Sequence, residues 1–232
     1  MHPFGGPVRF LPYVAHEVQT SAQANMDLAR EALASLKNAE AGILRFYRPQ
    51  PAAAFAPRDT ISEHYAKAAA AMRAHGFEPV ERQAGGHLIV YDSNALVIDL
   101  VAPHTDPRPQ MHERFNLFAG AIVSALANLS IDARIGALPG EYCPGDASVN
   151  GGGRVKLAGM AQRIVKHGYH LGAVVSVLPS PRAKIAVAEA YNILGLPFET
   201  ETFGCITDLA EGLSYDEAHD SVCKEIVNLV RM

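Results

Sequence analysis

Residues 154–163 read Arg154-Val-Lys-Leu-Ala-Gly-Met-Ala-Gln-Arg163, and they follow the stretch Gly140-Glu-Tyr-Cys-Pro-Gly-Asp146. The first stretch predicts a strand, on which Lys156 points away from its two apolar neighbours. Gly159 lets another backbone or a ligand approach that strand closely. The glycines and the proline of the second stretch predict a loop that holds Cys143 by backbone geometry. The chain therefore carries a thiol and an ammonium group only thirteen residues apart.

This pair of residues has two interpretations. A cysteine reacts as the thiolate, and nearby cations favour that form. Lys156, Arg154 and Arg163 supply such cations, so Cys143 and Lys156 are candidate catalytic residues. Alternatively, Cys143 is a small buried hydrophobe and Lys156 is a solvated lysine on a strand. The residues alone leave both interpretations open.

The other cysteines and the histidines give weaker signals. Cys205, in the short loop Phe203-Gly-Cys-Ile206, is a rival nucleophile, whereas Cys223 lies at core spacing in the last predicted helix and is interpreted as packing. No His-x-x-x-His or Cys-x-x-Cys spacing occurs, so we expect no metal site. Three cysteines are too few for a disulfide scaffold, which favours a reduced compartment.

The composition narrows the class of protein. Of 232 residues, 49% are hydrophobic and 19% charged, enough for a sizeable core in one domain spanning residues 1–232. The net charge of −4 does not suggest a nucleic-acid partner. No apolar run reaches the roughly 18 residues of a membrane helix, and the first residues lack the pattern of a signal peptide. We therefore expect a cytoplasmic protein without a membrane partner.

Helical and strand-like segments alternate along the chain. Apolar spacing and capping residues predict helices at 21–37, 62–75, 110–129, 181–194 and 214–229. Strands are predicted at 43–48, 87–92, 95–101, 154–158, 160–165 and 170–177, with an ordered loop at 136–153. The turn residues 91–94 predict that 87–92 and 95–101 form a hairpin. Tight connections between strands favour an α+β fold with mixed, largely antiparallel sheets packed with helices.

A second candidate binding element is Arg82-Gln-Ala-Gly-Gly-His87, which precedes an apolar strand. Adjacent glycines expose backbone N–H groups that suit a carbonyl, carboxylate or phosphate oxygen. The spacing matches neither a P-loop nor a dinucleotide fingerprint. A Gly-Gly turn before a strand also occurs without any ligand, so this element alone decides nothing.

Taken in order, these elements resemble the biotin/lipoate A/B protein ligase superfamily. The resemblance runs from about residue 22 to residue 177, and Lys156-x-x-Gly-x-Ala-Gln-Arg163 is its most specific part. Glu141-Tyr-Cys-Pro-Gly145 is similar to the cysteine-dependent octanoyl and lipoyl amidotransferases of that superfamily. The resemblance implies the catalytic-domain fold of the lipoate and biotin ligases. It also implies that Cys143 is a nucleophile and that Lys156 contacts the acyl carbonyl.

The same resemblance implies a pocket and a reaction. The substrate-binding residues it implies are Arg82, Gly85, Gly86, His87, Gly159, Gln162 and His170. The implied reaction moves an octanoyl or lipoyl group onto a lysine of a lipoyl-carrier domain through a cysteine thioester, without a cofactor. The implied donors and acceptors are lipoyl-domain proteins, such as the glycine cleavage H protein or 2-oxoacid dehydrogenase subunits.

Two alternatives remain beside that reaction. The first is an ATP-dependent lipoate–protein ligase, which would need ATP and Mg²⁺, bind acyl-adenylate at Lys156 and leave Cys143 without a role. Against it, Glu81-Arg-Gln-Ala84 has one arginine where lipoate ligases usually carry two adjacent ones. The second alternative is a non-catalytic protein that binds a lipoyl or biotinyl group.

Overall fold

A large, mostly antiparallel sheet organises the computed structural model, which describes residues 3–10 and 21–231. Within those residues the sheet has seven strands, and its order is Val8–Phe10 (β1), Gly42–Tyr47 (β2), Ala95–Pro103 (β6), Gly168–Ser176 (β10), Val155–Val165 (β9), Val149–Gly151 (β8) and Ala133–Ile135 (β7). β1 pairs with β2 in parallel and every other neighbouring pair is antiparallel. β9 and β10 thus form a hairpin, whereas β6 pairs with two strands that are distant from it in sequence, β2 and β10.

A second sheet of three strands lies apart from the first. Its order is Glu78–Glu81 (β4), Ala52–Phe55 (β3) and Ile89–Tyr91 (β5). β3 is parallel to β4 and antiparallel to β5. The α+β class with mixed, largely antiparallel sheets is thus confirmed.

The helices cover both sheets. They are Ala22–Ser35 (α1), Pro57–Thr60 (α2), Tyr65–Ala74 (α3), Met111–Ala127 (α4), Pro181–Leu194 (α5) and Tyr215–Arg231 (α6). α4 packs on α6, and both cover the core face of the large sheet, whereas α3 packs on α5 beside the small sheet. α1 contacts strands of both sheets, namely β6, β10 and β4. No helix within the described ranges has the length and apolar character needed to cross a bilayer.

Local capping signals predicted several helix ends correctly. The Ser21 hydroxyl accepts from the Ala24 N–H at the start of α1. Gly195 ends α5 in the left-handed conformation, as a glycine after a helix commonly does. Ser214 and Glu217 exchange the hydrogen bonds of a capping box at the start of α6. α3 starts later than predicted, at Tyr65.

The predicted hairpin of residues 87–92 and 95–101 is wrong. β5 pairs with β3 in the small sheet, whereas β6 lies between β2 and β10 in the large one. The turn itself forms, since Asp92 accepts from the Asn94 N–H, but it connects two sheets. β6 is buried along almost its whole length, so it needs a partner strand on each side, and β5 is too short to supply one.

Candidate active site

A cavity of about 330 Å³ lies between the large sheet, α1 and residues 82–87, here called the glycine loop. Apolar side chains from several elements line it, among them Met26, Leu33, Ile89, Val97, Met160 and Val174. Its volume and lining suit a small ligand with a long apolar part.

The register of the large sheet sets the rows of residues along one wall of the cavity. One row is uncharged and consists of Tyr47, Val97, Val174 and Gly159. The neighbouring row carries an ion pair at one end and consists of Arg45, Asp99, Gly172 and Ala161. Gly159, Gly172 and Ala161 have small side chains or none, so this wall projects little into the cavity and leaves space for a ligand.

A β-bulge brings Lys156 to the cavity side of β9. The register between β8 and β9 shifts at Leu157, which is one residue more than a regular ladder holds. Leu157 and Ala158 consequently both lie in the main core. Lys156 and Gly159, three residues apart, both line the cavity, although strict alternation would place them on opposite faces.

The ammonium group of Lys156 is buried and fully engaged. Its Nζ lies 2.8 Å from Glu141 Oε1, 3.0 Å from the carbonyl oxygen of Tyr142 and 2.8 Å from that of Cys143. An ammonium has three N–H donors, so each has an acceptor. The solvated-lysine interpretation is wrong, because the side chain of Lys156 is 3% exposed. Lys156 instead ties β9 to residues 136–148, here called the cysteine loop.

Cys143 adopts a backbone conformation that L-residues rarely take. Its φ of +43° lies in the left-handed region. Both of its peptide groups are held: its N–H donates to the Tyr191 hydroxyl at 2.7 Å, and its carbonyl accepts from Lys156. Burial raises the pKa of Tyr191 well above its usual value, so the hydroxyl keeps its proton and donates it to the Leu88 carbonyl.

The sulfur of Cys143 faces donors from the glycine loop. The backbone N–H of His87 donates to Sγ at 3.2 Å, and Nη2 of Arg82 lies 3.5 Å from it. Arg82 is 8% exposed, and within the described ranges its Nε has no hydrogen-bond partner. A guanidinium and a backbone N–H are groups that stabilise negative charge on sulfur. The sulfur of Cys143 therefore lies between two donors at the cavity, and its residue is only partly buried.

The two glycines of the glycine loop differ in their surroundings. A Cβ on Gly86 would lie 2.7 Å from Cys143 Sγ and 2.8 Å from Arg82 Nη2, and its φ of +91° also disfavours a side chain. A Cβ on Gly85 would meet nothing within 4 Å. Gly86 is thus the position where the loop backbone must approach the sulfur.

A second polar cluster lies on the cavity wall around Asp99. Its carboxylate contacts Arg45 Nη2 at 2.6 Å and His170 Nε2 at 2.8 Å. Burial alone would raise the pKa of Asp99, but the charges of Arg45 and His170 outweigh it and lower that pKa to about 2. Arg45 also donates to the carbonyl of Asn25 in α1. This cluster is closed, because each charge has an opposite partner or a hydrogen-bonding group.

The structure brings most of the predicted substrate-binding residues to the cavity. The residues that line it are Arg82, Gly85, Gly86, Gly159, Gln162 and His170. His87 differs, since only its backbone N–H reaches the sulfur while its ring pairs with the buried Asp59. Gln162 is held by Arg114 and by the Met111 carbonyl at the start of α4.

The other two cysteines lie away from the cavity lining. Cys205 is 2% exposed, its sulfur contacts Thr207, and burial raises the pKa of its thiol. Burial also raises the pKa of Cys223 to about 12. Neither environment favours a thiolate, so Cys143 has no structural rival among the three. No group of three or more His, Cys, Asp or Glu side chains suited to a metal ion occurs in the part of the chain described here.

Reasoning from the sequence missed Glu141, Tyr191 and the Arg45–Asp99 pair. Arg45 and Asp99 carried a signal, because each is a lone charge within an otherwise apolar strand, where a charge needs a partner. Glu141 stood inside the quoted loop motif without a role. Tyr191 gave no signal, because its contact with Cys143 joins residues that are 48 positions apart.

Comparison with protein families adds a match to the catalytic domain of lipoyl protein ligase A/B, which covers residues 21–194. A curated relative from Geobacillus kaustophilus, octanoyl-[GcvH]:protein N-octanoyltransferase, is 28% identical over 62% of this chain and 51% of its own length. A relative of the same name from an Exiguobacterium strain is 29% identical over 60% of this chain and 49% of its own. The chain thus spans about half the length of these curated relatives.

Solved structures with a similar fold are lipoate–protein ligases. Lipoate-protein ligase A bound with ATP superposes with a TM-score of 0.70 at 20% identity, over 98% of this chain and 86% of that one. A bipartite lipoate protein ligase from Thermoplasma acidophilum, described with its E2 lipoyl domain, gives 0.64 at 21% identity, over 98% and 84%. At these identities the likeness establishes the fold alone.

Proposed function

The chain belongs to the family of lipoyl protein ligase A/B catalytic domains, and we propose that it transfers an octanoyl or lipoyl group between lysines of lipoyl-carrier domains through a thioester on Cys143. The observation that carries this proposal is the position of the Cys143 sulfur. It meets the His87 N–H and the Arg82 guanidinium beside a cavity of acyl-chain size. An adenylating ligase has no use for a sulfur so placed, whereas a transferase needs one.

In the first step the thiolate of Cys143 attacks the carbonyl carbon of an acyl-lysine amide on the donor domain. A carbon–sulfur bond forms and the carbonyl oxygen becomes an oxyanion. Backbone N–H groups of the glycine loop stabilise that oxyanion, a contribution of about 3 kcal/mol for one well-placed donor, whereas the three donors of Lys156 are already engaged and hold the cysteine loop. The carbonyl then reforms as the carbon–nitrogen bond breaks, and the donor lysine leaves as an amine after taking up a proton from water.

In the second step the neutral amine of the acceptor lysine attacks the thioester. The new amide bond forms, the carbon–sulfur bond breaks, and the amine loses a proton as the thiolate of Cys143 is restored. One amide replaces another over the cycle, so no cofactor is needed. His170 is proposed to bind the substrate chain, since its Nε2 is already committed to Asp99.

The proposed partners follow from this chemistry. The donor is an octanoylated or lipoylated lipoyl domain of the glycine cleavage H type, and the acceptor is the lipoyl domain of a 2-oxoacid dehydrogenase subunit. The names of the curated relatives, which mention GcvH, support this choice. The proposed compartment is the cytoplasm, where lipoyl-domain acceptors and reduced thiols occur together.

The test is the intact mass of the protein after incubation with an octanoylated H-type domain in the absence of ATP. We expect a gain of one octanoyl group that hydroxylamine removes and that maps to Cys143. Cys143→Ala should give no gain, whereas Cys205→Ser, as the matched control, should acylate like the wild type. Parallel incubation with a lipoylated donor shows which acyl group, octanoyl or lipoyl, is transferred faster.

Two other results would replace the proposal. Modification of the acceptor with free octanoate or lipoate, ATP and Mg²⁺, combined with the absence of an adduct without ATP, would identify a ligase. Retention of the acylated domain on the folded protein without any transfer would identify a binding protein.

A further inference from the structure

Glu141 is a buried carboxylate that organises the cysteine loop. Its side chain is fully buried. One oxygen accepts from the Leu138 N–H at 2.8 Å, and the other accepts from the Ser148 hydroxyl at 2.6 Å and from Lys156 Nζ at 2.8 Å. Glu141 therefore joins both ends of the cysteine loop to one cation on β9.

That cation carries the effect onwards to the nucleophile. Lys156 uses its two remaining donors on the carbonyls of Tyr142 and Cys143. Its Cε lies over Gly159, where a Cβ would approach to 3.1 Å, so the position of the lysine stem depends on glycine at this place. The carboxylate of Glu141 thus fixes where the ammonium lies, and the ammonium fixes the carbonyl of Cys143.

The backbone of Cys143 requires such support. A non-glycine residue in the left-handed region relaxes unless its surroundings hold it. The Tyr191 hydroxyl holds the N–H of Cys143 and Lys156 holds its carbonyl, from opposite sides of the chain. Loss of either support lets the residue rotate, and Sγ then moves away from the His87 N–H and Arg82.

We propose that Glu141 is a positioning residue for acyl transfer, which acts through Lys156 on the backbone of Cys143 and so keeps the sulfur at the glycine loop. The proposal rests on the function of Cys143 given above. Glu141 itself contacts neither the sulfur nor the cavity, and it reaches them only through the lining residues Lys156 and Ser148, so its contribution to the reaction is the placement of the nucleophile.

The test compares Glu141→Gln with the wild type in two assays. Alkylation of Cys143 by iodoacetamide, followed by peptide mass, reports the placement of the sulfur without any acyl donor. Acylation by the octanoylated domain reports the full reaction. We expect both rate constants to fall by about the same factor, near 10-fold, with an unchanged KM for the donor.

Controls separate positioning from loss of stability. Asp92→Asn removes a similarly buried carboxylate that holds Asn94 and Ser180 outside the cavity, and we expect wild-type rates from it. Glu141→Asp retains the charge but shortens the reach to Lys156, and it replaces Glu141→Gln if that variant does not fold. Tyr191→Phe removes the other support of Cys143 and should slow alkylation as well.

Two outcomes would overturn the proposal. A folded Glu141 variant that alkylates and acylates at wild-type rates would make the residue purely structural. A variant that acylates slowly but alkylates normally would show that Lys156 acts directly on the substrate carbonyl. Failure of the proposed function itself would appear differently, as a wild-type protein without a thioester, while the alkylation assay would still report on Glu141.

Discussion

Two buried arginines beside the same cavity have opposite surroundings. Arg45 pairs with Asp99 at 2.6 Å and also donates to Asn25. Arg82 has no carboxylate within ion-pair distance among residues 3–10 and 21–231, and its Nε has no hydrogen-bond partner there. Its contacts are the carbonyl of His87 and the sulfur of Cys143.

The difference distinguishes the Arg45–Asp99 cluster, whose charges are paired within the fold, from the Arg82–Cys143 cluster, whose charge has no such partner in the described part of the chain. Burying a charge is unfavourable unless an opposite charge or hydrogen bonds compensate for it. The Asp99 cluster is compensated within the fold and needs nothing further. At Arg82 the compensation within the described residues is incomplete, because the guanidinium has no carboxylate partner there and its Nε has no acceptor. The Arg82 end of the cavity is thus the end where we expect chemistry.

The largest expected effect concerns the closed cluster. Asp99→Asn leaves Arg45 buried without its counter-charge, and we expect the free energy of unfolding to fall by about 3–5 kcal/mol. Urea unfolding at neutral pH measures this. A loss below 1 kcal/mol would contradict the view that the Arg45–Asp99 pair is compensated within the fold.

The difference in stability between the wild type and Asp99→Asn should also depend on pH. The pKa of Asp99 is lowered from 3.8 to about 2, so its stabilising contribution is present above about pH 4 and is lost as the pH falls towards 2. The difference in stability between the wild type and Asp99→Asn should therefore narrow over that interval. A difference that stays constant would mean that Asp99 titrates normally.

The next effect concerns the approach of the glycine loop to the sulfur. Gly86→Ala places a methyl group where Cys143 Sγ and Arg82 Nη2 lie, and we expect acylation to slow about 100-fold. Gly120→Ala on α4 is the control, since Gly120 does not line the cavity and its methyl group meets nothing within 4 Å. Single-turnover acylation of both variants measures the difference, and equal rates would remove Gly86 from the site.

The smallest effect separates the two arginines. Arg82→Met removes the guanidinium that contacts the sulfur of Cys143 at 3.5 Å, so we expect alkylation of Cys143 to slow about 10-fold, because the reacting sulfur loses a charged donor. The free energy of unfolding should fall less than in Asp99→Asn, because Arg82→Met leaves no buried charge without its counter-charge. Arg45→Met should leave the rate of Cys143 alkylation unchanged and lower the free energy of unfolding. A wild-type rate of alkylation in Arg82→Met would contradict the view that Arg82 acts on the sulfur of Cys143.

Sequence predicted the parts of this fold that local chemistry determines. Capping at Ser21, Gly195 and the Ser214–Glu217 box depends on residues within one helical turn, and those helix ends were predicted closely. The hairpin failed because the partners of β6 are chosen by burial of the whole strand, which neighbouring residues do not encode. β3 was missed because Ala52-Ala-Ala-Phe55 has little strand propensity.

The site shows the same division. The motifs identified Cys143, Lys156 and the glycine loop. In the structure the glycine loop contacts the sulfur of Cys143, and Lys156 binds the backbone of the cysteine loop. The engagement of all three Lys156 donors could not be predicted, because it depends on how the cysteine loop folds back on β9. The orphaned Nε of Arg82 is likewise a property of the assembled interior.

The bulge at Leu157 divides β9 into two parts with different partners. Downstream of it, β9 is committed to β10 by a regular ladder from Ala158 to Val165. Upstream of it, the backbone of Lys156 pairs with Asn150 in β8, and its ammonium group binds the cysteine loop. The loop can therefore lengthen, shorten or change its reactive residue without forcing the sheet into a new register. A strand with such a bulge keeps the cavity wall unchanged while the loop beside it varies.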